Sequence, residues 1–140
     1  MKTENDRKVI MFVDDNPTNL VAGKEILKNL YKVYPIPSGR ILFDLLGNVT
    51  PDMILLDIEM PVMDGFEVIE KLKENPDWEK IPVVFLTAAS DEASERKGLD
   101  LGAVDYVSKP FSTSLLLKRI ENILTLHAQK TGIPDSQAAL

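Results

Sequence analysis

A few side chains in this 140-residue chain have types and positions that could do chemistry together. Met53-Ile54-Leu55-Leu56 runs into Asp57, and Val9-Ile10-Met11-Phe12-Val13 runs into Asp14-Asp15. Val83-Val84-Phe85-Leu86 leads to Thr87, and Asp105-Tyr106-Val107-Ser108 leads to Lys109. An apolar run closed by a carboxylate reads as a buried strand whose charge emerges at a solvent-facing edge, because an unpaired charge is costly inside a core. Taken singly, each ending has a plain reading: Asp57 could merely open a loop, Thr87 could cap a turn and Lys109 could be solvated. Taken together they are complementary. Three neighbouring carboxylates repel, and need a cation or protons. All-oxygen ligation suits magnesium, which takes a few carboxylates and fills its other positions with water or phosphate oxygen. Beside a carboxylate nucleophile, a lysine and a hydroxyl, such a site is a phosphoryl-transfer set. The cations neutralise the moving group, the hydroxyl orients one oxygen, and Asp can become an aspartyl phosphate.

The elements that must bring these residues together follow from patterning. Asn16 can cap a helix with Pro17 in its first position, and Leu20, Gly23, Leu27 and Leu30 share one face. Residues 31–35 read as a short, partly exposed second strand. Ser38 can cap a helix to about Leu46 that Gly47 stops. Residues 60–65 form a loop, and residues 66–75 a helix with Phe66, Ile69 and Leu72 inward. Residues 90–102 have helix-capping chemistry at Ser90-Asp91-Glu92 but a weak apolar face. A last helix spans about residues 112–127 with Leu116, Ile120, Ile123 and Leu124 inward. One domain over residues 1–127 and a tail or linker over 128–140 are expected. Trp78 is expected to pack in a loop, and His127 to be structural or solvated.

Five βα units with short connections imply a doubly wound α/β fold: a five-stranded parallel sheet with helices on both faces. Right-handed crossovers favour the flavodoxin-like strand order 2-1-3-4-5. Ligands bind such sheets beyond the carboxyl ends of the strands, where the winding reverses. That point lies between strands 1 and 3, where Asp14, Asp15 and Asp57 end their runs.

Composition narrows the function further. A net charge of -6 argues against non-specific binding to nucleic acid or anionic lipid. With no cysteine, disulfides, thiolate catalysis and cysteine-ligated metals are excluded, and the single histidine, His127, cannot build a multi-histidine metal site. No apolar run nears the roughly 20 residues of a membrane helix. The polar start lacks a signal-peptide core, so a cytoplasmic location is expected.

The motifs Val13-Asp14-Asp15, Leu56-Asp57-Ile58-Glu59-Met60-Pro61, Asp64-Gly65, Leu86-Thr87-Ala88 and Ser108-Lys109-Pro110-Phe111 resemble the receiver domain of two-component response regulators over about residues 7–127. The resemblance implies that Asp57 accepts a phosphoryl group from a phosphohistidine of a sensor histidine kinase or phosphotransfer protein. It implies Mg2+ held by Asp14, Asp15, Asp57 and the backbone carbonyl of Glu59, with Lys109 and Thr87 on the phosphoryl oxygens. It also implies a switch in which Thr87 and Tyr106 reshape the surface of the fourth helix, fifth strand and fifth helix, and a cis Lys109-Pro110 bond. Glu59 and Ala89 resemble variable positions that tune the phosphoryl lifetime.

A homodimer through the same surface, aided by an apolar strip at Leu115 and Leu117, is a further expectation; direct nucleic-acid or membrane partners are not. Residues 14–19 and 64–73 are most similar to receivers that precede cyclic-dinucleotide enzymes, so the chain reads as a stand-alone receiver or the front of a longer regulator. Beyond its own phosphorylation and dephosphorylation no catalysis is expected. Two other readings compete. One is a haloacid-dehalogenase-like phosphatase with an Asp nucleophile, although there the nucleophile's motif precedes the acidic pair. The other is a binding module that works without phosphorylation.

Overall fold

The computed structural model describes residues 6–88, 92–110 and 112–130. Strands and helices alternate: β1 (Val9–Val13), α1 (Pro17–Leu27), β2 (Lys32–Ile36), α2 (Gly39–Leu46), β3 (Met53–Asp57), α3 (Gly65–Glu74), β4 (Val83–Ala88), α4 (Glu92–Asp100), β5 (Asp105–Lys109) and α5 (Thr113–Lys130). The strands form one sheet in the order β2-β1-β3-β4-β5, with every pair parallel. This is the doubly wound order expected from the sequence. The chain divides into two compact units, residues 1–110 with the sheet and α1–α4, and residues 111–140 with α5.

Side chains alternate across a strand, so strands that are apolar at every position need cover on both faces. On one face Met11, Val13, Ile54, Leu56, Val83 and Phe85 join Leu42 and Leu46 of α2 and Val68, Ile69 and Leu72 of α3 in a single buried cluster. On the other, Phe12 lies against α1 at Gly23, where a β-carbon would collide with the ring. At one edge of the sheet lies β2. Its Lys32 N–H and Ile36 carbonyl bond toward β1, so by alternation Pro35 turns outward, where its missing donor leaves no ladder bond broken.

Local chemistry sets the element ends, and it shifts several of the sequence expectations. Asn16 caps α1 by accepting from Thr18 N and Asn19 N, with Pro17 in the first turn. Leu30, expected on the apolar face of that helix, lies beyond its end and is 55% exposed; the chain turns there, with Leu30 N and Tyr31 N donating to the Leu27 carbonyl. The second strand runs one residue further than expected: the Ile36 carbonyl accepts from Asp14 N at 3.0 Å, and the Ile36 side chain is buried in the apolar cluster.

Asp64 and Glu67 form a reciprocal capping box that starts α3 at Gly65, and Val68 joins the expected Ile69 and Leu72 in the core. Phe66 is only partly buried, edge-on to Phe85 at 5.6 Å. The fourth helix is shorter than expected, and its weak apolar face is confirmed: Gly98 is its one buried residue. Ser90 and Asp91 lie outside the described residues, as does Ala89. Within α5, Leu116 and Ile120 are buried, Ile123 and Leu124 half-buried, and the helix runs to Lys130. Leu115 is exposed there but Leu117 is half-buried, so the pair does not form an exposed strip. Trp78 packs against Phe43 at 5.5 Å, as a loop packing residue should.

Candidate functional site

The register converges the polar strand ends. Val13 pairs with Leu56, so Asp14 and Asp57 stand one rung further along adjacent strands. Asp57 is the last residue of β3 and pairs with Leu86, which places Thr87 a step beyond on the next strand. Ala88 pairs with Lys109 at the end of β5. One carboxylate oxygen each from Asp14, Asp15 and Asp57 lies within 4.8 Å of the others.

Burial corrects one expectation. Asp57 does not emerge at a solvent-facing edge; it is 4% exposed, and Asp14 is fully buried, while Asp15 is exposed. The loop after β3 folds back over the strand end, with Gly65 N donating to the Ile58 carbonyl at 2.8 Å. Only glycine fits there, since a β-carbon would lie 2.6 Å from the Asp57 carbonyl oxygen.

Lys109 makes this burial tolerable. Its Nζ lies 2.9 Å from Asp57 Oδ1 and 3.0 Å from Asp14 Oδ2, bridging two buried carboxylates. Even so, burial pushes the Asp57 carboxyl up to about 6; the Lys109 hydrogen bond opposes this and the Asp14 charge adds to it. Burial pulls the Lys109 ammonium down, but its hydrogen bonds to Asp57 and Asp14 outweigh that and leave it above the ordinary lysine value. The pocket therefore holds more negative charge than its one lysine neutralises. Oxygen-only donors, two buried and one open to solvent, fit a hard divalent cation such as magnesium.

Two further expected residues are placed. Thr87 Oγ1 is buried without a hydrogen-bond partner among the described residues, a costly state for a hydroxyl. Tyr106 is half-buried against the apolar cluster. It pairs with Phe85 while Ser108 pairs with Thr87, so Tyr106 and Thr87 are diagonal neighbours on one face of the sheet. Glu59 is exposed, two residues past Asp57. The Lys109-Pro110 bond is cis, as the resemblance implied.

One residue of the site was not foreseen. Asn19 Nδ2 donates to Asp14 Oδ2 at 3.2 Å, and Asn16 N donates to Asp14 Oδ1 at 2.9 Å. The signal was present in the spacing. Asn19 is in the first turn of a helix that starts beside the acidic pair, and helical side chains lean back toward the N-terminus.

Comparison with known proteins agrees with this geometry. The family model described as "Response regulator receiver domain" matches residues 10–121. A Vibrio cholerae protein named "Probable cyclic di-GMP phosphodiesterase" is 44% identical over 115 residues, 82% of this chain but 26% of that protein. The chain thus spans about a quarter of the length of this curated relative. Among solved structures, the signal receiver domain of a signal transduction histidine kinase from Syntrophus aciditrophicus is 34% identical, with a TM-score of 0.77 over 84% of this chain and 90% of that one. A sensor histidine kinase receiver domain from Pseudomonas aeruginosa, with a magnesium ion coordinated in its active-site cleft, is 26% identical, with a TM-score of 0.78 over 85% and 98% of the two chains. The five-stranded topology, the acidic pocket and the match over residues 10–121 together place this chain in the response regulator receiver domain family.

Proposed function

We infer that Asp57 accepts a phosphoryl group from a phosphohistidine of a sensor histidine kinase or phosphotransfer protein, and that its state switches a docking surface. The observation that carries this is the Lys109 ammonium laid across Asp57 and Asp14 in a pocket of three converging carboxylates. Asp14, Asp15 and Asp57, with the Glu59 backbone carbonyl, would hold Mg2+, which when bound supplies charge neutralisation for the incoming phosphate.

In the transfer, an oxygen of Asp57 bonds to phosphorus as the P–N bond breaks, and the electron pair returns to the imidazole nitrogen. Lys109 exchanges its contact with Asp14 for a phosphoryl oxygen. The Thr87 hydroxyl, buried without a partner, gains one in another phosphoryl oxygen. Its inward movement frees space on the sheet face it shares with Tyr106, which turns in and alters the surface beside α4. A helix whose one buried residue is Gly98 is suited to such a shift.

Incubation with a small-molecule phosphodonor and magnesium should add one phosphoryl mass to the chain. The same treatment of Asp57→Asn should add none. Equal labelling of both proteins would sink the assignment. No observation favours a haloacid-dehalogenase-like phosphatase or a phosphorylation-independent module.

The protein is read as a cytoplasmic signalling switch that catalyses at most its own phosphorylation and dephosphorylation. No helix among the described residues is long and apolar enough to cross a membrane. The similarity to a protein named as a cyclic di-GMP phosphodiesterase supports a further step, that the receiver governs a cyclic-dinucleotide enzyme, in the same chain or as a partner. Reading the gene downstream of Leu140 tests the first form directly. Dimerisation through α4 and β5 remains part of this reading, to be tested by sedimentation with and without a phosphoryl mimic.

A further inference from the structure

We propose that Asn19 is a positioning residue for divalent-cation capture, holding the Asp14 carboxylate in its metal-receiving orientation when Lys109 leaves it; this rests on the reading of the pocket as a magnesium and phosphoryl site. Asp14 is fully buried and accepts from three donors. Oδ1 takes the Asn16 backbone N–H at 2.9 Å. Oδ2 takes the Asn19 carboxamide at 3.2 Å and the Lys109 ammonium at 3.0 Å. A carboxylate has about four acceptor positions, so these three donors leave room for one more ligand.

The two donors on Oδ2 differ in charge, and that decides which can stay. The Lys109 ammonium repels an arriving cation and is needed at the phosphoryl group, so it must give up Asp14. The Asn19 amide is neutral and repels nothing. Once Lys109 has left, Asn19 is the donor that keeps a buried carboxylate oxygen satisfied and the side chain from rotating. Asn19 is itself held in place: its backbone N–H bonds to the Asn16 side chain at 3.3 Å, and the Asn16 backbone N–H is the donor on Asp14 Oδ1. The first turn of α1 is thereby tied to Asp14 through both carboxylate oxygens. Outer-shell partners that orient a metal-binding carboxylate typically change metal affinity by 10–100-fold.

The test is direct Mg2+ binding by calorimetry, with thermal unfolding of the metal-free proteins alongside. Asn19→Ala and Asn19→Leu should each bind Mg2+ about tenfold more weakly than wild type. Their metal-free unfolding temperatures should remain within a few degrees of wild type, because Asn19 is only half-buried. Lys24→Ala, on the exposed side of the same helix, should bind as wild type does. Asn19→Ser, which keeps a short donor, should recover part of the loss. Wild-type affinity in both Asn19→Ala and Asn19→Leu overturns the positioning role and leaves the magnesium site standing. Absence of Mg2+ binding in the wild type overturns both readings. Weakened binding that tracks an equal loss of unfolding temperature also overturns the proposal, since the effect would then be one of folding.

Discussion

Lys109 Nζ and Asp57 Oδ1, 52 positions apart in the chain, meet at 2.9 Å at the carboxyl edge of the sheet, on strands separated by β4. The same ammonium reaches Asp14 on the other side. One cation thus offsets part of the charge of a pocket with two buried carboxylates and a third at its mouth. The resting protein carries an electrostatic cost here, which makes the site's behaviour readable by pH, metal and mutation.

Stability should report the buried charge. Burial pushes the Asp57 carboxyl up to about 6 in the folded chain, above the ordinary carboxylate value near 3.8. A group raised on folding contributes stability that is full below its unfolded value and lost as pH climbs through its folded value. Without divalent ions, the wild type should therefore lose on the order of 2 kcal/mol from this group between about pH 4 and pH 7. Asp57→Asn lacks that loss, so its advantage over wild type in urea unfolding should grow across this window. An advantage that does not change with pH would contradict the shift.

Magnesium affinity should follow the same titration with the opposite sense. A protonated Asp57 gives up an oxygen to the proton, so binding should weaken as pH falls below about 6. Around that pH, capture of the ion should release a proton. Calorimetry in two buffers of different ionisation enthalpy checks this, because the apparent heat should differ between them at pH 6 and converge by pH 8.

Thr87 offers an unusual sign. Its buried hydroxyl has no partner among the described residues, so Thr87→Val replaces an unsatisfied polar atom with a methyl of like shape. The unphosphorylated protein should gain about 1 kcal/mol in denaturant unfolding. The phosphorylated form should lose its switch, seen as NMR shifts on phosphorylation that no longer reach Tyr106. A destabilised Thr87→Val would mean that the hydroxyl is satisfied in solution.

Val62 tests strain near the site. It has φ 70 and a fully exposed side chain, and Met63 N donates across it to the Pro61 carbonyl at 2.7 Å. This is a tight three-residue turn around a β-branched residue in left-handed backbone, a conformation that costs about 1–2 kcal/mol. Val62→Gly should recover roughly 1 kcal/mol, because glycine takes positive φ without a β-carbon clash and the lost side chain buries nothing. Thermal unfolding reads the gain, and Mg2+ binding should be unchanged.

Much of this protein is legible in the order of its residues. The all-apolar runs at residues 9–13, 53–56 and 83–86 required a parallel sheet covered on both faces, and the polar residue closing each run marked the edge where chemistry would gather. Asn16-Pro17 and Ser38 announced their helix starts because capping is local chemistry, complete within four residues, whereas the Asp64–Glu67 box that starts α3 one residue earlier went unread. What depends on distant partners came only with the fold. Asp57 is buried rather than exposed because Gly65 folds a loop over it and Lys109 supplies a countercharge from β5, neither of which periodicity reveals. Leu30 lost its place on a helix face because the chain had to turn into β2. Asn19 joined the site because register and helix direction aimed its amide at Asp14. Which residues can do the chemistry is a property of residue type and order; how far each is desolvated and which donor holds which oxygen are set only when strands far apart in the chain lie side by side.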